Sequence, residues 1–171
     1  MDTPEFPRPV DLREIGNKPL HLEANDAERR RLAGRFAITS IESLVADITL
    51  VPDGPVVRAT GRLRAEITQQ CAISGEDFPV SIDEAVDLRF VPPVGTHTPD
   101  EEIELDAEDC DEIEYEGTAF DLGEAVAQSL ALAIDPFAEG PNAEAARKAA
   151  GLSDEAASGP FAALANLRKD N

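Results

Sequence analysis

The chain has 171 residues, of which 42% are hydrophobic but only 5% aromatic, so its core is predicted to be aliphatic. Its 35 acidic residues outweigh 15 Lys and Arg, and the net charge of −20 excludes a surface that attracts nucleic acid throughout. The amino terminus lacks a secretory signal and no run approaches a membrane span, so a cytoplasmic protein is expected.

The negative charge is concentrated in one part of the chain. Residues 1–64 carry 10 basic and 10 acidic side chains, whereas residues 65–146 carry 22 acids and a single base, Arg89. Eleven of these acids lie within residues 100–116. Such a protein repels bulk polyanions and attracts polycations. Any contact with nucleic acid must therefore be local, and basic proteins are candidate partners.

The amino-terminal part predicts two short extended stretches and a helix. The extended stretches are centred on residues 8–12 and 19–23. Asn25 followed by Glu28 has the spacing of a capping box, which marks the start of a helix. This helix is predicted to run to about Arg35.

From Phe36 onward the apolar residues recur with a period of two, which is typical of strands. Residues 44–67 predict a long antiparallel hairpin around a Pro-Asp-Gly-Pro turn. A third strand follows over residues 80–90, in which Glu84 has inward parity and predicts an edge or a bulge. The polar and acidic residues 95–112 predict a mobile loop.

The remaining elements are a short strand over residues 113–119 and a second helix, capped by Asp121, that ends at Asp135-Pro136. Residues 138–159 are rich in Ala, Glu, Gly and Ser and predict a linker. We therefore predict an α+β fold, an antiparallel curved sheet or half-open barrel packed by two helices. Residues 1–136 are predicted to form a single domain, and residues 137–171 a linker and a short carboxy-terminal helical motif.

A group of arginines is the candidate contact for RNA. The guanidinium fork donates two hydrogen bonds to one phosphate. The predicted first helix and the polar face of the hairpin could bring together seven of them: Arg29, Arg30, Arg31, Arg35, Arg58, Arg62 and Arg64. The alternative to an RNA contact is a solvated face on which some arginines pair with acids of the acidic part of the chain. The aromatic residues that single-stranded RNA readers interleave with basic ones are absent.

Two segments are candidates for docking a protein partner. The acidic run of residues 100–116, which includes Asp109 and Glu112, could bind a basic protein or serve only as a solubilising loop. Phe161, Leu164 and Leu167 share one face of the predicted carboxy-terminal helix. That face could bind another protein or dock back onto its own domain.

The cysteines offer little for a metal or catalytic site. Cys71 begins a tight turn in which Gly75 can adopt a positive φ, but Ser74 stands where a zinc knuckle would place its second cysteine. Cys71 and Cys110 are expected to be reduced thiols, the alternative being a disulfide between them. With two isolated histidines and no nucleotide, metal or nucleophile motif, we predict no cofactor, no small-molecule substrate and no catalytic residue.

Three segments of the chain lie at residues 71–78, 120–136 and 160–168. In this order, they resemble the YceD-like family of bacterial and plastid proteins, named for accumulation of the large-subunit ribosomal RNA. The likeness spans about residues 60–171. The family often has C-x-x-C in the first segment, from which Ser74 departs. The residues that carry the likeness are Cys71, Gly75 and Phe78 in the first segment, Asp121, Leu122 and Pro136 in the second, and Pro160 at the start of the third.

The resemblance implies a non-enzymatic role in rRNA accumulation or processing, and hence in assembly of the large ribosomal subunit. It implies no catalytic residue. In one hypothesis the chain docks onto a basic ribosomal protein or a large-subunit precursor through its acidic segment and carboxy-terminal motif. In the other it binds rRNA directly through the arginines. A third interpretation is a degenerate metal-binding protein.

Overall fold

The computed structural model describes residues 4–93 and 111–151, which form an α+β fold around a five-stranded open sheet. The sheet has the strand order β2-β3-β4-β5-β6 and is antiparallel except for the parallel pair β5–β6, while β1 and β7 pair separately. The strands are β1 (Pro9–Asp11), β2 (Leu20–Glu23), β3 (Ser40–Asp53), β4 (Val56–Gln70), β5 (Asp77–Val91), β6 (Glu112–Glu114) and β7 (Ala119–Asp121). The helices are α1 (Asp26–Phe36), α2 (Leu122–Ala133) and α3 (Ala143–Ala149). The predicted α+β class is confirmed.

The β3–β4 hairpin, predicted over residues 44–67, forms the middle of the sheet. Gly54 adopts a φ of 59° in the connecting turn, a conformation that favours glycine. Alternate residues such as Ile48 and Leu63 are fully buried, as the period of two predicted. The register between β4 and β5 is unshifted at Glu84, so there is no bulge at this position. Glu84 is exposed and lies outside the part of β5 that pairs with β6, so it is at an edge of the sheet.

The hydrophobic core lies between one face of the sheet and the helices α1 and α2. The rings of Phe90 on β5 and Phe120 on β7 stack there with their centroids 3.9 Å apart. Polar residues that alternate with the buried ones along β4 and β5 leave the opposite face of the sheet exposed to solvent. No helix within the described ranges is long and apolar enough to cross a bilayer. The helical side chains in the core include Leu32, Ala33, Leu122, Val126 and Leu130.

The first helix begins with the predicted capping box, since Asn25 and Glu28 bond reciprocally. Asp121 caps α2 through the amide of Glu124, but the Glu124 side chain bonds Arg35 on α1. The Glu124 carboxylate therefore joins α2 to α1.

Two elements differ from the sequence prediction. The strand expected over residues 113–119 is divided into β6 and β7 by a turn at Gly117, whose φ is 74°. The segment expected to be a linker, residues 138–159, contains α3, which buries Ala143. Most of the predicted acidic loop and the whole predicted carboxy-terminal helix lie outside the described residues. The domain boundary at residue 136 stays a prediction.

Candidate functional site

The seven candidate arginines do not form one surface. The helix α1 packs on the core side of the sheet and carries Arg29, Arg30, Arg31 and Arg35. On β4, alternating with buried residues and therefore on the exposed side of the sheet, lie Arg58, Arg62 and Arg64. The expectation of a single neighbourhood is wrong, because the sheet lies between the two groups.

The arginines of the exposed face bond acids on neighbouring strands. Two bonds link Arg58 to Asp87, with Nε–Oδ1 and Nη2–Oδ2 distances of 2.9 and 2.7 Å. The Nε of Arg62 donates to Asp83 at 2.9 Å, and this bond raises the pKa of Arg62 and lowers the pKa of Asp83. On the same face, Arg64 lies 4.0 Å from Asp47 and Arg89 pairs with Glu112 at 2.6 Å, while the Nδ1 of His21 lies 2.7 Å from the Oδ1 of Asp47.

The arginines of α1 are also engaged. Arg35 forms a bidentate pair with Glu124, at 2.9 and 2.8 Å, and its Nη1 lies 3.1 Å from Glu5. The bonds from Arg35 lower the pKa of the Glu124 carboxyl. The remaining hydrogen bonds of these arginines join Arg29 to the Asp26 carboxylate and to the carbonyl of Ala24, Arg30 to the carbonyl of Asp26, and Arg31 to the carbonyl of Glu5.

Five of the seven arginines thus form an ion pair with a described carboxylate. These partner carboxylates lie on α1 itself, on α2, on the strands β3 and β5, and at Glu5. An RNA phosphate would have to compete with these carboxylates for the same guanidinium groups.

The Cys71 turn surrounds a single sulfur with hydrogen-bond donors. Its Sγ accepts bonds from the amides of Ile73 and Ser74 at 3.4 and 3.3 Å, and Gly75 adopts the expected positive φ, 71°. Hydrogen bonds from the Ser74 hydroxyl and amide lower the pKa of the Cys71 thiol to about 7, because they stabilise the thiolate. Cys71 itself is 3% exposed.

Residues 138–143 pack over this turn. The amide of Ala72 donates to the carbonyl of Ala138 at 3.0 Å. A Cβ at Gly140 would lie 2.9 Å from the Phe78 ring, so the absence of a side chain there permits close packing. Within residues 4–93 and 111–151, no group of three or more His, Cys, Asp and Glu side chains could hold a metal ion.

The second family-like segment holds the amino-terminal strand in place. The Asp121 carboxylate accepts the Arg8 amide at 2.8 Å, and the Leu122 amide donates to the Arg8 carbonyl at 3.0 Å. A Cβ at Gly123 would lie 1.9 Å from the carbonyl oxygen of Phe6. Sequence reasoning missed this role, because Arg8 and Asp121 are 113 positions apart and no local pattern links them.

Sequence reasoning also missed a buried amide at the end of β4. Gln69 is 5% exposed; its Nε2 donates to the carbonyl of Asp135 at 2.9 Å, and its Oε1 has no partner among the described residues. This bond fixes the segment that includes Pro136, just beyond α2. Leu132 and Phe137, on either side of that segment, are 89% and 79% exposed.

Among the docking candidates, Glu112 lies on β6 and pairs with Arg89. The candidates outside the described residues are Asp109, Phe161, Leu164 and Leu167, together with Pro160 and Cys110.

A family model described as large ribosomal RNA subunit accumulation protein YceD matches residues 59–168. Neither the curated proteins nor the solved structures gave a match. The matched region contains the Cys71 turn, the acidic run and α2, whereas α1 with its four arginines precedes it.

Proposed function

Since the chain belongs to the YceD family of large ribosomal RNA subunit accumulation proteins, we propose that it is a non-enzymatic factor for rRNA processing and large-subunit assembly in the cytoplasm. It docks onto a basic ribosomal protein or a large-subunit precursor. The observation that carries this choice is the charge of residues 65–146, which contain 22 acids and one base and lie wholly inside the matched region. A negatively charged surface attracts a polycation and repels naked RNA.

Two segments carry the docking in this proposal. The acidic run of residues 100–116 supplies long-range attraction, which speeds the encounter and depends on salt. The apolar side chains Phe161, Leu164 and Leu167 supply short-range contact, as an amphipathic helix does in a groove. Both segments lie within residues 59–168.

Direct rRNA binding is the second candidate function. It is favoured by Arg30 and Arg31, whose hydrogen bonds go to backbone carbonyl oxygens and which form no ion pair with a carboxylate within residues 4–93 and 111–151. Arg29 and Arg35 next to them are paired with carboxylates. A contact through two arginines would be local and weak at physiological salt.

One titration separates the two functions. Purified protein is mixed with RNA-free, basic large-subunit proteins, or with an rRNA fragment, over a range of salt concentrations. We expect binding to a basic protein that is lost when the carboxylates of residues 100–116 become amides, and that is unchanged in an Arg30→Gln/Arg31→Gln variant. The docking function is wrong if only RNA binds, with a steep salt dependence that the arginine variant reduces.

A further inference from the structure

The carboxyl end of α2 presents apolar side chains to solvent. Leu132 and Phe137, at 89% and 79% exposed, are the most exposed large apolar residues in the part of the chain that the structure describes. Ile73, 39% exposed, lies in the Cys71 turn, which is joined to this segment by the bond from the Ala72 amide to the Ala138 carbonyl. Single exposed apolar residues are common, but a group at one place on a surface marks an interaction site.

The backbone that carries Phe137 is held on both sides. Its amide donates to the Asp135 carboxylate at 2.8 Å, and the following amide, of Ala138, donates to the Asp135 carbonyl at 3.2 Å. The same carbonyl accepts the buried Gln69 amide. The aromatic side chain therefore projects from a fixed backbone. Preorganised aromatic anchors of this kind carry much of the affinity in protein interfaces.

The charges around this apolar group favour a basic occupant. Residues 76–77 and 135–148 contain five carboxylates and two cations. Arg147 pairs with Glu139 and Glu144. The other three carboxylates bond neutral groups: Glu76 bonds Asn142, Asp77 bonds Thr39, and Asp135 bonds the Phe137 amide.

We propose that Leu132, Phe137 and Ile73 form a docking surface for a basic protein segment that places an apolar side chain between Lys or Arg residues. The proposal rests on the proposed function and adds this surface to the segments that contact the basic ribosomal partner. All three residues lie within the region that the family model matches. The competing occupant is the chain's own residues 161–169, which also combine apolar and basic side chains.

The test is a binding titration with a variant that removes both exposed anchors. Purified basic large-subunit ribosomal proteins are added one at a time to the full chain and to Leu132→Ser/Phe137→Ser. The variant is expected to unfold at an unchanged temperature, because both side chains are exposed, and to bind about tenfold more weakly. The matched control is Val51→Ser, which alters a side chain 54% exposed on β3, and is expected to bind like the original chain.

A spectroscopic arm identifies the occupant. The chain has no Trp, so Phe137→Trp introduces a single indole. Its emission is expected to be that of an exposed indole in the free chain and to shift to the blue when the basic protein binds. An emission already blue in the free chain, which moves to the red when residues 152–171 are deleted, would overturn the proposal in favour of the chain's own tail.

The remaining outcomes separate this surface from the proposed function. If a basic protein binds tightly, but the double variant binds it equally well and the indole emission does not shift, this docking surface is wrong and the docking function stands. If none of the basic proteins binds any version of the chain, the docking function is wrong and the surface with it.

Discussion

Gly34 and Gly123 are both helical glycines, yet they have opposite surroundings. A Cβ at Gly34 on α1 would meet nothing within 4 Å. A Cβ at Gly123 on α2 would lie 1.9 Å from the Phe6 carbonyl oxygen and 3.0 Å from the Arg8 amide nitrogen. Both obstacles are backbone atoms of residues 6–8, just before β1, and Arg8 is itself bonded to Asp121 and Leu122, so neither can move aside independently. Gly123 is therefore required by close packing, whereas Gly34 is not.

We expect Gly123→Ala to lower the free energy of unfolding by about 1–3 kcal/mol, because the methyl group forces the amino-terminal strand away from α2. Its control, Gly34→Ala, is expected to raise that free energy by about 0.5–1 kcal/mol, since alanine is the better helix former at an unhindered position. Chemical denaturation of the three proteins measures both values. A Gly123→Ala protein as stable as the original chain would contradict the close contact.

The same residues show what the sequence could and could not predict at this scale. The caps at Asn25 and Asp121 were predicted, because a cap involves neighbours within three positions. The second bond of Asp121, to the amide of Arg8, was not predicted, because contacts between distant segments leave no local pattern. Gly123 likewise looks ordinary in the sequence, and only the approach of Phe6 gives it a role.

The elements at the amino-terminal edge are joined by one arginine. The Arg8 guanidinium binds both oxygens of Glu28, at 2.8 and 3.0 Å, and the carbonyl of Glu23 at 2.8 Å. It also lies over the Phe6 ring, with its central carbon 4.3 Å from the ring centroid. Glu28, in the capping box of α1, is 5% exposed. This contact links β1, the end of β2 and α1, and depends on the ionised form of Glu28.

Arg8→Ala is expected to lower the free energy of unfolding by about 1–3 kcal/mol at neutral pH, because the buried Glu28 carboxylate loses its charged partner and keeps the hydrogen bond from the Asn25 amide. The bond to Arg8 lowers the pKa of Glu28 from its ordinary value of 4.5. A carboxyl whose pKa is lower in the folded protein stabilises it fully above the ordinary value, and this contribution is lost as the pH falls through the lower one. The difference in the free energy of unfolding between the original chain and Arg8→Ala should therefore become smaller below about pH 4.5.

Denaturation curves over a series of pH values test this dependence. The matched control is Arg13→Ala, which breaks an exposed pair with Asp11 on the same segment; the Arg13 side chain is 79% exposed. That change should leave the free energy of unfolding almost unchanged, because solvent screens an exposed pair. An Arg8→Ala deficit that stays constant into acid would show that the lost packing, and not the charge, is responsible.

At the scale of elements, periodicity predicted the hairpin but not the helix α3. The strands β3 and β4 bury alternate residues such as Leu44 and Leu63, which gives a clear period of two. In contrast, α3 buries only Ala143 and has no apolar stripe, so its sequence looks like a linker. The separation of the arginines could not be predicted either. The sequence of α1 does not show which face of the sheet the helix will cover, because that depends on tertiary packing.

For the molecule as a whole, the family-matched region does not coincide with a structural unit. The match begins at residue 59, inside β4, whereas the preceding strand β3 pairs with β4 along almost its whole length. The helix α1 and the strand β1 also close the core from the amino-terminal side. Residues 59–168 by themselves would lack α1 and would expose the edge of β4 that β3 occupies.

We therefore expect the chain to fold only as a whole. A fragment of residues 55–171, separated at the exposed β3–β4 turn, should show no cooperative thermal unfolding, because β4 loses its pairing with β3 and the core loses α1. Mixing it with residues 1–54 should restore a cooperative transition with the circular dichroism of the intact chain. The control is the intact chain measured at the same concentration. If the fragment 55–171 unfolds cooperatively near the temperature of the full chain, the amino-terminal third is an accessory to the family fold and not a part of its core.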